Sequence, residues 1–526
     1  MIKLQEESVK IMEKPRNEPY LDVKGLKTYF FTEKGVVKAL DGVDISIAKG
    51  EIYGLVGESG CGKSVTALSI MDLVKPPGAM VSGNVSIEGY NVASHLGKIR
   101  TIKYISDKEV VVKTHDRAAK KHDYIMSNIR GRKVSMIFQE PTLALNPVLT
   151  IGDQIVDAIM AHNKKELADA IIRMESLRQR DIENIVDSCR GLANKKEIAE
   201  RVGEWCWSNG LPDLTQFMIE LIESSLGRDT VVDKISKEIM EVRSEKGMGI
   251  IIKTSENEAN ARRFFELTLR SDPIRKRTPE HEETDLGVTE SIKQLMRGKI
   301  ILFKLEKVLF GWSANKRLRE QAWKRGVELL RRVRLSNAES IMREYPHELS
   351  GGMQQRCLIA MALSADPMLL LADEPTTALD VTTQFQILKL IRETNLSRGI
   401  SVLFITHDLA VVASLCHRVG VMYAGSIVEE TSVEDLFRNQ KHPYTSGLMR
   451  AIPRPNLDVE KRYRFESIGG SVPNLIDPPS GCRFHPRCKF RMDICDQKKP
   501  KLVDLGGSHK VACFLYSDDA EGDVNE

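Results

Sequence analysis

The 526-residue chain lacks a hydrophobic run long enough to cross a membrane. Its longest apolar stretch, from Cys357 to Ala372, is interrupted by Asp366 and Pro367, whereas a transmembrane helix needs about 20 consecutive apolar residues. The stretch therefore predicts a buried helix followed by a buried strand. The first residues, MIKLQEESVKIMEKPRNEPY, also lack the apolar segment of a signal peptide, so we expect the chain to stay in the cytosol.

An excess of charge of one sign and closely paired cysteines are also missing. The formal net charge of +4 is too small for this length to indicate nucleic-acid binding. None of the nine cysteines forms a C-x-x-C pair, and five are scattered singly, which suits a reducing compartment. The hydrophobic fraction of 42% and charged fraction of 29% are ordinary for a globular protein. The length predicts two or more domains.

A glycine-rich loop is the first feature that indicates chemistry. In EIYGLVGESGCGKSVTALSI, which starts at residue 51, an apolar strand pattern is followed by G-x-x-x-x-G-K-S and then a helix pattern. Backbone N–H groups of such a loop and the helix N-terminus can bind phosphate oxygens, the lysine can reach the β- and γ-phosphates, and the serine can ligate Mg²⁺. Taken alone, the pattern could be a tight turn, with Cys61 a small filler or, if exposed, an oxidisable thiol. The predicted nucleotide-binding residues are Gly57, Glu58, Ser59, Gly60, Cys61, Gly62, Lys63, Ser64 and Val65.

Further motifs in a fixed order identify the kind of nucleotide-binding protein. After the loop come SMIFQEP from residue 135, LSGGMQ from 349, MLLLADE from 368, TTALD from 376 and VLFITHD from 402. They resemble the Q-loop, signature motif, Walker B strand, D-loop and switch histidine of ABC ATPases, and Phe30 in LKTYFF resembles the aromatic residue that stacks on adenine. The resemblance covers about residues 20 to 160 and 320 to 526. It implies an α/β P-loop ATPase fold, a RecA-like core with a β-subdomain and a helical subdomain, and the cofactors ATP and Mg²⁺.

The resemblance also assigns roles to the polar residues of these motifs. Asp373 would hold Mg²⁺ with Ser64 and Gln139, because hard cations prefer oxygen ligands. Glu374 is the predicted general base for the attacking water, and His407 would contact the γ-phosphate. An acidic pair after a strand is usually a solvated strand end, so the functional interpretation depends on the whole series of motifs. The residues predicted to complete the site of a partner subunit in a sandwich dimer are Ser350, Gly351, Gly352, Gln354 and Asp380.

Two C-terminal segments narrow the resemblance to one subfamily. KHPYTSGLMRAIPRP from residue 441 and PPSGCRFHPRCKFRMDIC from 478 resemble the extension of oligopeptide/dipeptide importer ATPases. The implied partners are a second ATPase, identical or not, two transmembrane permease subunits that contact residues 140–147, and an extracytoplasmic substrate-binding protein; no nucleic acid is expected. The implied location is the cytoplasmic face of the cell membrane. Peptides are the expected solute, with oligosaccharides and metal chelates as alternatives.

Insertions distinguish this chain from that subfamily and define the expected domains. A mostly helical segment at 164–318, which includes IAERVGEWCWSNGL and LTQFMIELIESSL, separates the motifs, and a smaller insertion lies around 92–128. The segment could be a charged surface extension of the helical subdomain, or it could be a docking surface for a permease or regulator. The expected boundaries are a tail at 1–19, a first core part at 20–163, the insertion, a second core part at 319–435 and a small, irregular C-terminal domain at 436–526.

An insertion at this place raises a rival from another class. Chromosome-maintenance and DNA-repair ATPases place coiled coils between the glycine-rich loop and the signature. Here NGLPD, MGI, SDP and DLG interrupt any heptad pattern, and that class gives no reason for the C-terminal motifs. Soluble, non-transport ABC proteins usually contain two cassettes, whereas this chain has one glycine-rich phosphate loop.

The four cysteines near the C-terminus predict a metal centre. Cys482, Cys488, Cys495 and Cys513 lie in a segment dense in proline, glycine and arginine and poor in apolar periodicity. Small domains of that kind often depend on disulfides or metals, and a cytosolic location disfavours disulfides. The spacing is wider than in most structural zinc sites, and some members of the resembled subfamily carry a 4Fe–4S cluster here. A cluster, zinc and free thiols all stay open, with a structural role preferred over redox sensing.

Overall fold

The computed structural model describes residues 19–92, 100–104, 110–176, 179–190, 192, 195–209, 211, 214–223, 228–245, 300–377, 379–451 and 468–517. The chain divides into two compact units, one formed by Met1–Leu145 with Ser350–Glu526 and the other by Asn146–Leu349. Most of the predicted tail at 1–19 lies outside the described residues, as do the MGI, SDP and DLG breaks.

The strands that the structure describes all belong to the first unit. In chain order they are β1 (Pro19–Thr32), β2 (Gly35–Ala48), β3 (Ile52–Val56), β4 (Gly78–Ile87), β5 (Tyr90–Asn91), β6 (Arg100–Tyr104), β7 (Val110–Thr114), β8 (Val134–Ile137), β9 (Leu369–Asp373), β10 (Ser401–Ile405), β11 (Arg418–Tyr423), β12 (Ser426–Ser432), β13 (Val503–Asp504) and β14 (Lys510–Val511). The helices of both units are α1 (Lys63–Ile70), α2 (Asp116–Ile129), α3 (Pro141–Ala144), α4 (Ile151–Ser176), α5 (Gln179–Arg190), α6 (Lys195–Ser208), α7 (Thr215–Glu223), α8 (Arg228–Glu245), α9 (Ile300–Arg332), α10 (Ala338–Ile341), α11 (Gly351–Leu363), α12 (Val381–Arg398), α13 (Leu409–Leu415), α14 (Val433–Asn439), α15 (Pro443–Arg450) and α16 (Ile494–Gln497).

An eight-stranded sheet organises the first unit, in the order β13-β14-β12-β11-β3-β10-β9-β8. The pairs from β11 to β8 are parallel, whereas β12, β13 and β14 pair antiparallel. Every residue of β3, β9 and β10 is buried, as is typical of parallel strands covered on both faces. The carboxyl ends of β3, β8, β9 and β10 therefore lie at one edge of the sheet, where α/β proteins usually bind ligands.

A second, antiparallel sheet has the order β2-β1-β4-β5 and corresponds to the expected β-subdomain. In β1, Leu21, Val23 and Leu26 are buried and contribute to the core. Two helices beside the core begin at side-chain caps, since the Ser350 Oγ accepts a hydrogen bond from the Met353 N–H and the Asp380 Oδ1 accepts one from the Thr383 N–H. These caps fix where α11 and α12 start.

The second unit is helical. Helices α4 and α9 pack closely, and α5 to α8 form a further group around buried apolar side chains such as Val202, Met218 and Ile235. Gly152 allows the close approach, because a Cβ there would lie 2.3 Å from the Met342 carbonyl oxygen and 2.5 Å from the Trp323 ring. The predicted helical character of the 164–318 segment is confirmed for its described residues.

The prediction for the long apolar stretch is confirmed by α11 and β9, a buried helix followed by a fully buried strand. Within the described ranges, none of the helices is both long and apolar enough to span a bilayer. The described C-terminal residues are mostly turns and short helices, as expected, but β13 and β14 also extend the large sheet. Two-residue strands carry no readable alternation, so the sequence did not predict this extension.

Candidate nucleotide and magnesium site

The glycine-rich loop joins β3 to α1 in a conformation that requires glycine. Gly57 has φ 158° and Gly62 has φ 110°. A Cβ on Gly57 would lie 2.2 Å from the Met422 carbonyl oxygen, which is closer than van der Waals contact permits. The Lys63 Nζ donates to the carbonyl oxygens of Gly57, at 2.8 Å, and of Glu58, at 3.1 Å, so its side chain lies back over the loop.

Ser64 and Asp373 meet at the predicted metal position. The Ser64 Oγ donates to the Asp373 Oδ1 at 3.0 Å, and Asp373 is only 4% exposed. Burial raises the pKa of Asp373 to about 6; the Ser64 hydrogen bond lowers this pKa and the neighbouring Glu374 charge raises it. A hydroxyl and a buried carboxylate are oxygen ligands that fit Mg²⁺, and a divalent cation would offset the desolvation of the carboxylate.

Glu374 is the centre of a group of polar side chains. The Gln139 Nε2 donates to its Oε2 at 3.3 Å, the Thr377 Oγ1 donates to the same oxygen at 2.9 Å, and the His407 Nδ1 lies 3.3 Å from its Oε1. Gln139, Glu374 and His407 follow the adjacent parallel strands β8, β9 and β10. The sheet thus brings together all three predicted catalytic residues, whereas Thr377, within the TTALD motif, was not singled out from the sequence.

The residues predicted to serve a partner site lie at two helix N-termini. Ser350 precedes α11, and Gly351 is exposed with open space where a Cβ would lie. Gln354 lies in the same helix and is buried. Asp380 precedes α12, and its hydrogen bond from Thr383 lowers the Asp380 pKa. The exposed N-terminus of α11 presents backbone N–H groups that could bind a phosphate.

The two remaining predictions concern an aromatic residue and a thiol. Phe30 is paired with Val37 in the second sheet, and its half-buried ring packs against Gly78; its stacking on adenine stays a prediction.

Cys61 is 1% exposed, and burial raises the pKa of its thiol. The thiol is therefore shielded, which fits the interpretation of Cys61 as a small filler better than that of an oxidisable group.

Residues from the C-terminal region reach the loop, which the sequence motifs did not indicate. The Arg487 guanidinium donates to both carboxylate oxygens of Glu58, at 2.8 and 3.1 Å. The Glu58 N–H donates to the Tyr444 Oη at 3.0 Å. Tyr444 belongs to the KHPYT segment, so a motif typical of the subfamily also contacts the nucleotide site.

The four C-terminal thiols lie within electrostatic range of one another. The pKa of Cys482 and that of Cys513 are raised to about 11, mainly by burial and also by neighbouring cysteines of the group. The Cys482 N–H donates to the Cys495 carbonyl oxygen at 2.7 Å, and backbone N–H groups of Phe484 and Leu515 bond to the Cys482 and Cys513 sulfurs. Within the described part of the chain, no three His, Cys, Asp or Glu side chains are arranged to hold a single metal ion.

A phosphate loop, an acidic strand end and a switch histidine around one sheet edge define a P-loop ATPase of the ABC class. The family model described as "ABC transporter" matches residues 40–202 and 265–377, more than half of the chain. A second model, "Oligopeptide/dipeptide transporter, C-terminal region", matches residues 428–495. The gap in the first match falls within the predicted 164–318 insertion.

Full-length relatives agree with both models. The oligopeptide transport ATP-binding protein AppD of Bacillus subtilis is 33% identical over 500 residues, which cover 95% of this chain and 97% of AppD. The dipeptide transport ATP-binding protein DppD of the same organism is 31% identical over 505 residues, which cover 96% of this chain and 97% of DppD. A dimeric bacterial ABC transporter cassette of solved structure matches 78% of this chain and 98% of its own, at 19% identity and a TM-score of 0.38. The chain belongs to the ABC transporter ATP-binding proteins of the oligopeptide/dipeptide type.

Proposed function

We propose that this chain is the ATP-hydrolysing subunit of a peptide importer, located at the cytoplasmic face of a cell membrane. The observation that carries the proposal is the convergence of Gln139, Thr377 and His407 on Glu374, beside the Ser64–Asp373 pair. Phosphoryl transfer mainly needs positioning and charge stabilisation, which this group of side chains supplies.

Each predicted site residue has a role in this proposal. ATP binds with its phosphates against the loop from Gly57 to Val65, with Lys63 on the β- and γ-phosphates and Phe30 against the adenine. Ser64, Asp373 and Gln139 would hold Mg²⁺, which would supply positive charge to the phosphate oxygens. Glu374 accepts the proton of the attacking water, and His407 orients Glu374 and the γ-phosphate.

The partners follow from the kind of importer. The N-terminus of α11, with Ser350, Gly351 and Gly352, would bind the nucleotide of a second ATPase subunit, which Asp380 and Gln354 would also face. Two permease subunits and an extracytoplasmic substrate-binding protein would complete the complex. The oligopeptide and dipeptide transport functions of AppD and DppD support peptides as the solute, and the C-terminal family match supports an importer over a chromosome-maintenance ATPase.

Deleting the gene in its native host should abolish uptake of radiolabelled di- or oligopeptides at micromolar concentration. Wild-type protein supplied in trans should restore uptake, and the Glu374→Gln variant should not, because transport needs hydrolysis. Unchanged peptide uptake with loss of oligosaccharide or metal-chelate uptake would contradict the peptide assignment. Unchanged uptake of all three classes would contradict an import function.

We further propose that Cys482, Cys488, Cys495 and Cys513 hold a 4Fe–4S cluster with a structural role. The support is that backbone N–H groups bond to the sulfurs of all four cysteines, and hydrogen bonds to sulfur are a feature of Fe–S cluster sites. The sequence spacing of the four cysteines, wider than the paired C-x-x-C of most structural zinc sites, favours a cluster over zinc.

Protein purified without oxygen should be brown and should contain about four irons per chain. Cys488→Ser should lose the colour and lower the thermal unfolding midpoint. Cys189→Ser, which alters a buried thiol in the other compact unit, should retain colour and iron. Colourless wild-type protein without iron, combined with unchanged stability of Cys488→Ser, would contradict the cluster.

A further inference from the structure

Glu58, the second residue of the glycine-rich loop, is bonded at all of its polar groups. Its two carboxylate oxygens accept from Arg487, its N–H donates to the Tyr444 Oη, and its carbonyl oxygen accepts from the Lys63 Nζ and the Cys61 N–H. Lys63 and Cys61 belong to the loop and its helix, whereas Arg487 and Tyr444 come from the C-terminal region. This region therefore fixes the conformation of a loop residue 429 positions earlier in the chain.

Arg487 is itself firmly anchored. Its Nε donates to the Gly469 carbonyl oxygen at 2.9 Å, and its guanidinium also bonds to the Ile468 carbonyl oxygen and the Tyr423 Oη. The side chain is 6% exposed, in contrast to a surface arginine. A planar guanidinium held at several points presents a rigid fork to a carboxylate, so the Glu58 side chain has one strongly preferred position.

Tyr444 is held by aromatic packing. Its ring centroid lies 4.6 Å from that of Tyr423 and 5.5 Å from that of Phe484, and all three rings are buried. The Glu58 N–H points at this ring cluster. Because this N–H is already bonded to the Tyr444 hydroxyl, a phosphate bound in the loop would be contacted by other backbone N–H groups.

The negative charge of Glu58 has a second consequence, for the binding of a triphosphate. A free carboxylate beside a triphosphate would repel it, and the repulsion would be strong in a partly buried site because screening there is weak. The bidentate bond with Arg487 neutralises the Glu58 carboxylate at 2.8 Å. The same bond thus holds Glu58 in one position and offsets a negative charge within the loop that would bind the phosphates.

We propose that Arg487 is a positioning residue of the nucleotide site, which sets the shape of the phosphate loop and neutralises Glu58 so that ATP can bind. This inference depends on the proposed ATP binding at the same loop. Arg487 touches neither the reacting atoms nor the metal position, so its loss should weaken ATP binding and leave the chemical step largely intact.

The test measures KM and kcat for ATP, and ATP affinity by calorimetry, for the full-length protein. Arg487→Met, which keeps length and loses charge, should weaken ATP affinity about tenfold with kcat within about twofold, because it removes a charge-assisted bidentate bond that holds the loop but touches no reacting atom. Arg487→Lys should recover part of the affinity, because it restores charge without the bidentate geometry. Arg491→Met is the matched control, because Arg491 lies in the same segment and pairs only with Asp496 on the surface among the described contacts.

A double substitution separates positioning from simple stabilisation of the fold. Glu58→Gln in the Arg487→Met background should recover most of the lost ATP affinity, because the uncompensated carboxylate is then gone. An Arg487→Met affinity equal to that of Arg491→Met would overturn the inference. No recovery in the double variant would overturn the argument that Arg487 neutralises Glu58. If Arg487→Met does not fold, a wild-type ATP affinity of Arg487→Lys would overturn the inference. Wild-type protein that fails to bind ATP would instead contradict the proposed function.

Discussion

Replacing Glu374 with glutamine should lower steady-state ATP hydrolysis about a thousandfold and leave ATP affinity nearly unchanged, because general-base catalysis contributes about 10²–10⁴ in rate. The amide has the shape of the carboxylate. Its oxygen can accept the bonds from Gln139 and Thr377, and its N–H group can face the His407 ring. It cannot accept the proton of the attacking water, so ATP should remain bound and hold two subunits together.

Hydrolysis is measured as phosphate release by the purified complex, and dimer formation by gel filtration with ATP and Mg²⁺. Glu393→Gln is the control, because Glu393 is 48% exposed on α12 and pairs with Lys389 at 3.9 Å. This control should hydrolyse ATP at the wild-type rate. If Glu374→Gln also retained wild-type turnover, Glu374 would not be the base.

Replacing Lys63 with alanine should abolish detectable ATP binding. The change removes the cation expected at the β- and γ-phosphates, and it also removes the two hydrogen bonds from Nζ to the Gly57 and Glu58 carbonyl oxygens. Both losses act before hydrolysis, so turnover should disappear together with binding. Calorimetric titration with ATP and Mg²⁺ measures the affinity directly.

The control for this lysine is Lys389→Ala, an exposed position on α12. Its ATP affinity should equal that of the wild type. The thermal unfolding midpoint of Lys63→Ala distinguishes a lost cation from a collapsed loop, since a folded protein without ATP binding is the expected result. An ATP affinity within a few fold of wild type would rule out the assigned phosphate loop.

The sequence was sufficient to predict the parts of the site that depend on contiguous residues. The loop from Gly57 to Ser64 has a pattern whose glycines the backbone requires, and Asp373 and Glu374 come at the end of an apolar run that must be a buried strand. Parallel strands then bring their carboxyl ends to one edge, so Gln139 and His407 meet Glu374 although the chain between them is long. The order of the motifs was enough to predict this cluster because the strands that precede these residues are parallel neighbours in one sheet.

The contacts of the C-terminal region could not be predicted in this way. Arg487 lies in an irregular segment among several other arginines, and nothing in its local pattern distinguishes it from Arg491, which forms an exposed pair. Its bond to Glu58 depends on how two distant segments pack, not on periodicity. The strand β14 was missed for a related reason, since two residues that extend a sheet edge carry no pattern of their own.

The order of strands in the large sheet has a consequence for the synthesis of the chain. The strand β3 lies between β10 and β11, and Gly50, just before β3, bonds to Ser401, 351 residues later. At translation rates of about 5–20 residues per second, the phosphate-loop segment leaves the ribosome roughly 20–70 s before β10 and β11, the strands that pair with β3. During that time both edges of β3 are unpaired, and unpaired strand edges can template aggregation. We therefore expect nascent chains that stop before residue 400 to be captured by ribosome-associated chaperones, and release from them to coincide with the appearance of β10 and β11.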